Sequence, residues 1–201
     1  MAEGRGPAGV VLAARESLAG GIGVVVADLE ISRAWLIDPV AGREGPGEIV
    51  VTNGVIEAVT WLEGAEAEGI DDRGVVVSPG FIDLHAHLRE PGNEDAETIA
   101  TGLAAAAHGG FTTICPMPNT TPPADDPGIV ARMRAAAVAS GSPVAILPYG
   151  AVSAGRKGET LGPLGELADA GVVGFSDDGA PVRTGSLLRS ALLYAGMLGL
   201  P

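Results

Sequence analysis

Lysine is almost missing from this chain: Lys157 stands alone among 12 basic residues. Cysteine is as scarce. With Cys115 as its sole example, no intrachain disulfide can form, which suits a reducing, cytoplasmic setting. Aromatic residues make up only 3%, so a core must be built from Ala, Val, Leu and Ile. Basic clusters are absent and the formal net charge is −13, which excludes nucleic-acid binding through a cationic surface. No apolar run approaches the ~20 residues of a membrane span. The first residues also lack the basic start and unbroken apolar segment of a signal peptide. Residues 1–28 are therefore expected to be an N-terminal extension of a soluble protein. Histidine occurs three times, and none follows His108.

What is present falls into two rhythms. From Leu29 to Val77 the pattern is that of β structure. Ile31 to Ile37 alternates loosely and ends at the turn signal Asp38-Pro39. Gly45-Pro46-Gly47 is expected to be a further turn, and Asn53-Gly54 between two apolar runs is a strong hairpin signal. These strands are too few to close a stable sandwich alone and are expected to form a small β-sandwich segment over 29–77. From Ser78 onward, strands alternate with helices. Strands are expected at 81–85, 111–115, 144–147 and 172–175. Helices are expected at 97–108, 127–140, 163–170 and 184–198, the first with acidic residues 94, 95 and 97 near its positive end. Four βα units in series imply α/β architecture with a parallel sheet, either doubly wound or the first half of a (β/α)8 TIM-type barrel. The first strand is not followed by G-x-G-x-x-G, which removes the dinucleotide-binding alternative.

In both architectures chemistry sits at the C-terminal strand ends. There the sequence places His85, His87, Arg89, Asn119 and the pair Asp177-Asp178. His85 and His87 are two apart in S-P-G-F-I-D-L-H-A-H-L-R-E-P-G. In an extended strand, residues i and i+2 share a side, so two imidazoles can grip one metal ion. A carboxylate must help complete the site. The Asp177-Asp178 pair is the candidate, with Asp178 the better placed, although Asp-Asp-Gly is also ordinary turn chemistry. Lys157 lies in a polar loop away from any strand end, so a bridging carboxylated lysine is not expected. Arg89 is a cation suited to an anionic substrate, or else the partner of Glu90 or Glu94. Asn119 can donate and accept, or form an Asx-turn. His108 is expected to be a helix-end cation or a packing residue rather than a ligand, and Cys115 a small buried hydrophobe.

P-G-F-I-D-L-H-A-H-L-R-E-P-G, G-G-F-T-T-I-C-P-M-P-N-T-T-P and G-F-S-D-D-G together resemble the dihydroorotases of the amidohydrolase superfamily, in the long bacterial class with Asp as the bridging ligand. The resemblance runs from near Leu29 to the chain end. It implies zinc, one or two ions, with His85, His87 and Asp178 as metal ligands. His87, Arg89 and Asn119 would be substrate-binding, and the reaction would interconvert N-carbamoyl-L-aspartate and L-dihydroorotate in pyrimidine biosynthesis. It further implies two more histidine ligands and a proton-shuttling aspartate beyond Pro201. On this resemblance residues 78–201 are an incomplete barrel, and the 201-residue chain is an inactive N-terminal half. Partners would be the small-molecule substrate, with a homodimer or association with aspartate transcarbamoylase, and neither nucleic acid nor membrane. Two other assignments are a hydantoinase- or allantoinase-like cyclic amidase, which resembles this chain at H-x-H, and a non-catalytic dihydroorotase-like partner of aspartate transcarbamoylase, a class that lacks a working metal site.

Overall fold

The computed structural model describes residues 29–201, so the extension expected over 1–28 lies outside the described residues. The chain divides into two compact units, with the division between Gly80 and Phe81. Among the described residues no helix is long and apolar enough to cross a membrane.

The first unit holds one four-stranded sheet in the order β3-β2-β1-β4. Its strands are β1 (Leu29–Asp38), β2 (Arg43–Thr52), β3 (Val55–Trp61) and β4 (Val76–Val77). The Asn53-Gly54 hairpin forms as its dipeptide requires. Both residues have positive φ, 53° and 74°, which matches the twist of the strands they join. The Asp38 carboxylate accepts from the amides of Val40 and Ala41, each at 3.0 Å, and turns the chain there. Gly45-Pro46-Gly47 is not the expected turn, because β2 runs straight through it. The physical reason lies in how Pro46 is placed. Its carbonyl accepts from the Leu62 amide at 2.9 Å, just past the last β2–β3 pair, Gly47 with Trp61. In an antiparallel strand a residue's N–H and C=O point the same way, so the donor that proline lacks falls where β3 has run out. Gly47 is needed for another reason: a Cβ there would run into the Leu36 side chain and the Thr60 carbonyl. Ala34, Leu36 and Ile49 form this unit's core.

The second unit is mixed α/β with a parallel sheet, β5 (Phe81–Ala86), β6 (Phe111–Pro116) and β7 (Ala145–Ile146), in that spatial order. The connections carry α1 (Ile99–His108) and α2 (Pro127–Ala139), and the chain continues through α3 (Leu164–Asp169) and α4 (Gly185–Met197). The expected fourth strand, 172–175, forms no full ladder. It does lie parallel to the chain after β7: the Val173 amide donates to Pro148, that of Gly150 to Gly174 and that of Ser176 to Gly150, at 2.9–3.0 Å. The core between sheet and helices is aliphatic, with Ile99, Leu103, Val130, Met133 and Leu167 fully buried. Burying each such side chain contributes about 1.5–3 kcal/mol.

Capping explains where the helices start. Asp126 accepts from Gly128 N at 2.7 Å and sets Pro127 in the first turn of α2, where its missing N–H costs nothing. Thr184 caps α4 through the Leu187 amide. In α1 the helix begins at Ile99, later than expected, and its first turn carries no acid. Thr98 and Thr101 instead exchange side-chain and main-chain bonds in a capping box. The carboxylate at this helix start comes from Glu90, whose Oε2 accepts from Ile99 N at 2.8 Å. Gly102 lets Leu88, two residues past β5, close onto α1, since a Cβ would strike the Leu88 side chain.

Candidate metal centre

Strand β5 delivers His85, and His87 follows one residue past its last member. Their rings stand edge to face with centroids 5.2 Å apart. The main chain of His85 is fixed from below, since its amide donates to Asp83 Oδ1 at 2.9 Å. Asp178 reaches the same place from the turn after residues 172–176. Its Oδ1 lies 3.2 Å from His85 Nε2, and its Oδ2 lies 3.9 Å from His87 Nδ1. One ligand atom from each of His85, His87 and Asp178 falls within 4.8 Å of the other two.

This donor set suits zinc in type, and its His85–Asp178 separation suits it in spacing. Two ligands about 2.05 Å from one ion at the tetrahedral angle lie roughly 3.3 Å apart, close to the His85–Asp178 separation. The side chains differ in cover: His85 is 58% exposed and Asp178 18%.

Asn119, past the end of β6, stands between two of these residues. Its Nδ2 donates to Asp178 Oδ2 at 2.8 Å, and its Oδ1 lies 3.1 Å from His87 Nδ1. An ionised carboxylate only accepts, so the bond to Asp178 fixes which end of the amide is nitrogen. The amide oxygen likewise only accepts, so His87 Nδ1 must carry the proton. That leaves the Nε2 lone pair of His87 free for a metal, an orienting contact common around metal-bound histidines. Sequence alone offered Asn119 as a substrate group or an Asx-turn. Its link to both ligands rests on a separation of 59 residues from Asp178.

Arg89 sits on backbone of positive φ, 33°, and is half-buried. Among the described residues its guanidinium makes no ion pair or hydrogen bond to an acidic side chain. The two carboxylates that could have taken it are engaged elsewhere. Glu90 accepts from Ile99 N, and Glu94 accepts from Gly92 N at 2.9 Å and faces Arg132 at 3.8 Å. The amide bond from Gly92, chiefly, holds the Glu94 carboxyl below the ordinary carboxylate range.

The two neighbouring aspartates separate. Asp178 faces the histidines, whereas Asp177 is buried and turned away. It accepts from Ser153 N at 3.0 Å and from the Ser153 hydroxyl. Lys157 is exposed and outside the cluster, and His108 fills the last position of α1. Cys115 is buried, and that burial, followed by the Asp83 charge, pushes its thiol above the usual range.

A family model described as Dihydro-orotase-like matches residues 74–199. A dihydroorotase of Pelotomaculum thermopropionicum is 45% identical over 173 residues, covering 86% of this chain and 40% of its own length. A dihydroorotase of Aquifex aeolicus is 42% identical over 174 residues, covering 86% and 41%. Among solved structures, L-hydantoinase (dihydropyrimidinase) from Arthrobacter aurescens superposes with a TM-score of 0.60 at 21% identity, over 85% of this chain and 39% of that one. A crystal structure of a dihydroorotase superposes with a TM-score of 0.51 at 16% identity, over 80% and 46%. At such identities the structural likeness speaks to the fold. The chain spans about two-fifths of the length of the curated relatives it matches.

Proposed function

Since the chain belongs to the dihydro-orotase-like family, we propose that it is the N-terminal part of a zinc-dependent dihydroorotase interconverting N-carbamoyl-L-aspartate and L-dihydroorotate. Residues 78–201 supply the first half of a (β/α)8 barrel, and residues 29–77 belong to a small accompanying β domain. The observation that supports the assignment is the convergence of His85, His87 and Asp178, with Arg89 two residues past His87 in the chain and, among the described residues, without an acidic partner.

His85, His87 and Asp178 would hold the ion. When bound, zinc supplies polarisation of the amide carbonyl and a water of lowered pKa. The remaining work falls to this chain's own side chains. Arg89 pairs with the substrate carboxylate, where its planar guanidinium can make two parallel bonds. Asn119 offers its second N–H to the same group while holding His87 and Asp178. Anchoring the carboxylate at two points orients the reacting amide, which turns an encounter into a positioned reaction. In the hydrolytic direction water adds to the ring carbonyl, the ring C–N bond breaks, and the nitrogen takes a proton. The relatives extend well beyond the length matched here, so the complete reaction belongs to the full-length protein.

The names of the relatives matched in sequence favour dihydroorotase over hydantoinase, and Arg89, two residues past His87 in the chain, suits an acidic substrate. The test is zinc content and dihydroorotate turnover of full-length protein beside its His85→Ala variant. The variant is expected to lose both. Full zinc and full turnover in it would sink the assignment, and a preference for hydantoin over dihydroorotate would move it to the hydantoinases.

A further inference from the structure

Asp177 takes no part in the cluster of candidate ligands, yet it is the most deeply buried carboxylate beside it, at 5% exposure. Its two oxygens are spent on one residue, Ser153, 24 positions earlier in the chain. The Ser153 hydroxyl in turn accepts from Gly158 N at 2.8 Å. From the same loop, Arg156 turns back on the aspartate pair. Its Nε and a terminal nitrogen donate to the Asp177 carbonyl at 3.1 and 2.8 Å, and that terminal nitrogen also donates to the Asp178 carbonyl. The Asp178 amide donates to Ser176 Oγ at 3.1 Å. The Asp178 amide and the carbonyls of Asp177 and Asp178 are therefore all held.

The loop that does the holding is itself anchored. Gly155 N donates to Asp125 Oδ2 at 2.6 Å, Ala151 N to the Ala124 carbonyl at 2.9 Å, and Arg183 N to the Gly158 carbonyl at 3.0 Å. Gly158 has a φ of +68°, and a Cβ on it would run into the Pro181 carbonyl oxygen. The loop thus joins the Asp178 turn to the chain on both sides of it.

We propose that Asp177, with Ser153 and Arg156, forms a clasp that positions the Asp178 carboxylate for the metal. Asp177 and Arg156 are positioning residues: neither side chain reaches the candidate ligand atoms, and both act by fixing the main chain from which Asp178 projects. The inference rests on the assignment of Asp178 as a ligand. It adds a reason for two adjacent aspartates, one that would bind and one that aims.

The experiment measures Zn2+ affinity of the full-length protein by competition with a chromophoric chelator, and the absorption bands of the Co2+-loaded protein. Asp177→Asn is expected to weaken Zn2+ binding about 10–100-fold, the usual cost of losing an outer contact to a metal site, and to alter the Co2+ bands. Arg156→Ala, at a half-exposed position, gives a second measurement should Asp177→Asn fail to fold. Val130→Ala, which adjoins neither the candidate ligands nor the clasp in sequence and lies in the aliphatic core, controls for stability and is expected to lower the unfolding temperature with Zn2+ affinity unchanged. Folded Asp177→Asn or Arg156→Ala with parental Zn2+ affinity and Co2+ bands overturns the clasp. If His85→Ala and Asp178→Ala also keep parental affinity, the metal assignment itself fails. If those two lose Zn2+ while the clasp variants do not, only the clasp fails.

Discussion

The two sides of the candidate metal centre are built from different materials. On one side His85 and His87 stand at the end of β5, and Leu88, two residues past that strand, is sunk into an aliphatic core with Ile99 and Leu103. Their placement follows from strand alternation and from apolar packing underneath. On the other side Asp178 projects from a turn held by polar bonds to Ser153, Arg156 and Ser176. Apolar packing is strong but non-directional. Hydrogen bonds contribute less net stability, but each fixes a direction, and a buried acceptor left unpaired is costly. The first side should therefore govern whether this unit folds, and the second how well a folded unit grips an ion.

Substitutions can separate these two contributions. Leu103→Ala removes a fully buried side chain beneath the histidine side. It is expected to cost about 2–5 kcal/mol in urea unfolding followed by circular dichroism, while folded protein keeps its Zn2+ affinity. Gly158→Ala acts on the other side, forcing a side chain onto left-handed backbone against the Pro181 carbonyl. Its expected cost is about 1–3 kcal/mol, smaller than that of Leu103→Ala, yet it should reduce Zn2+ affinity of the folded protein in chelator competition. The reverse pattern, with affinity falling in Leu103→Ala and intact in Gly158→Ala, would break the comparison. Thr98→Ala, which removes one half of the α1 capping box, should cost only about 1 kcal/mol in the same unfolding experiment and leave affinity unchanged.

The same contrast decides what could be read from the sequence. The alternation that pairs His85 with His87, the Asn53-Gly54 hairpin and the Asp126-Pro127 helix start are all local, and each is legible within a few residues. Gly45-Pro46-Gly47 misled because its turn chemistry is overridden by a neighbouring strand that ends just where proline lacks a donor. The Glu90 bond to the start of α1 spans nine residues that no short capping pattern covers. Of the two aspartates Asp178 was legible as the better placed, but the part played by Asp177 was not, for a similar reason: the serine that claims it lies 24 residues away. Asn119 was legible as a polar group at a strand end, but its bridging of His87 and Asp178 was not.

Arg89 brings two selective demands into conflict at a single position. Its backbone lies at a φ of 33°, where a side chain is tolerated at a cost and glycine is at ease. The proposed substrate clamp, in contrast, needs the guanidinium. A population of variants screened only for thermal resistance would therefore drift toward glycine at residue 89, while one screened for growth on the proposed reaction would hold arginine there. Residue 89 is thus a place where robustness and fitness select opposite alleles.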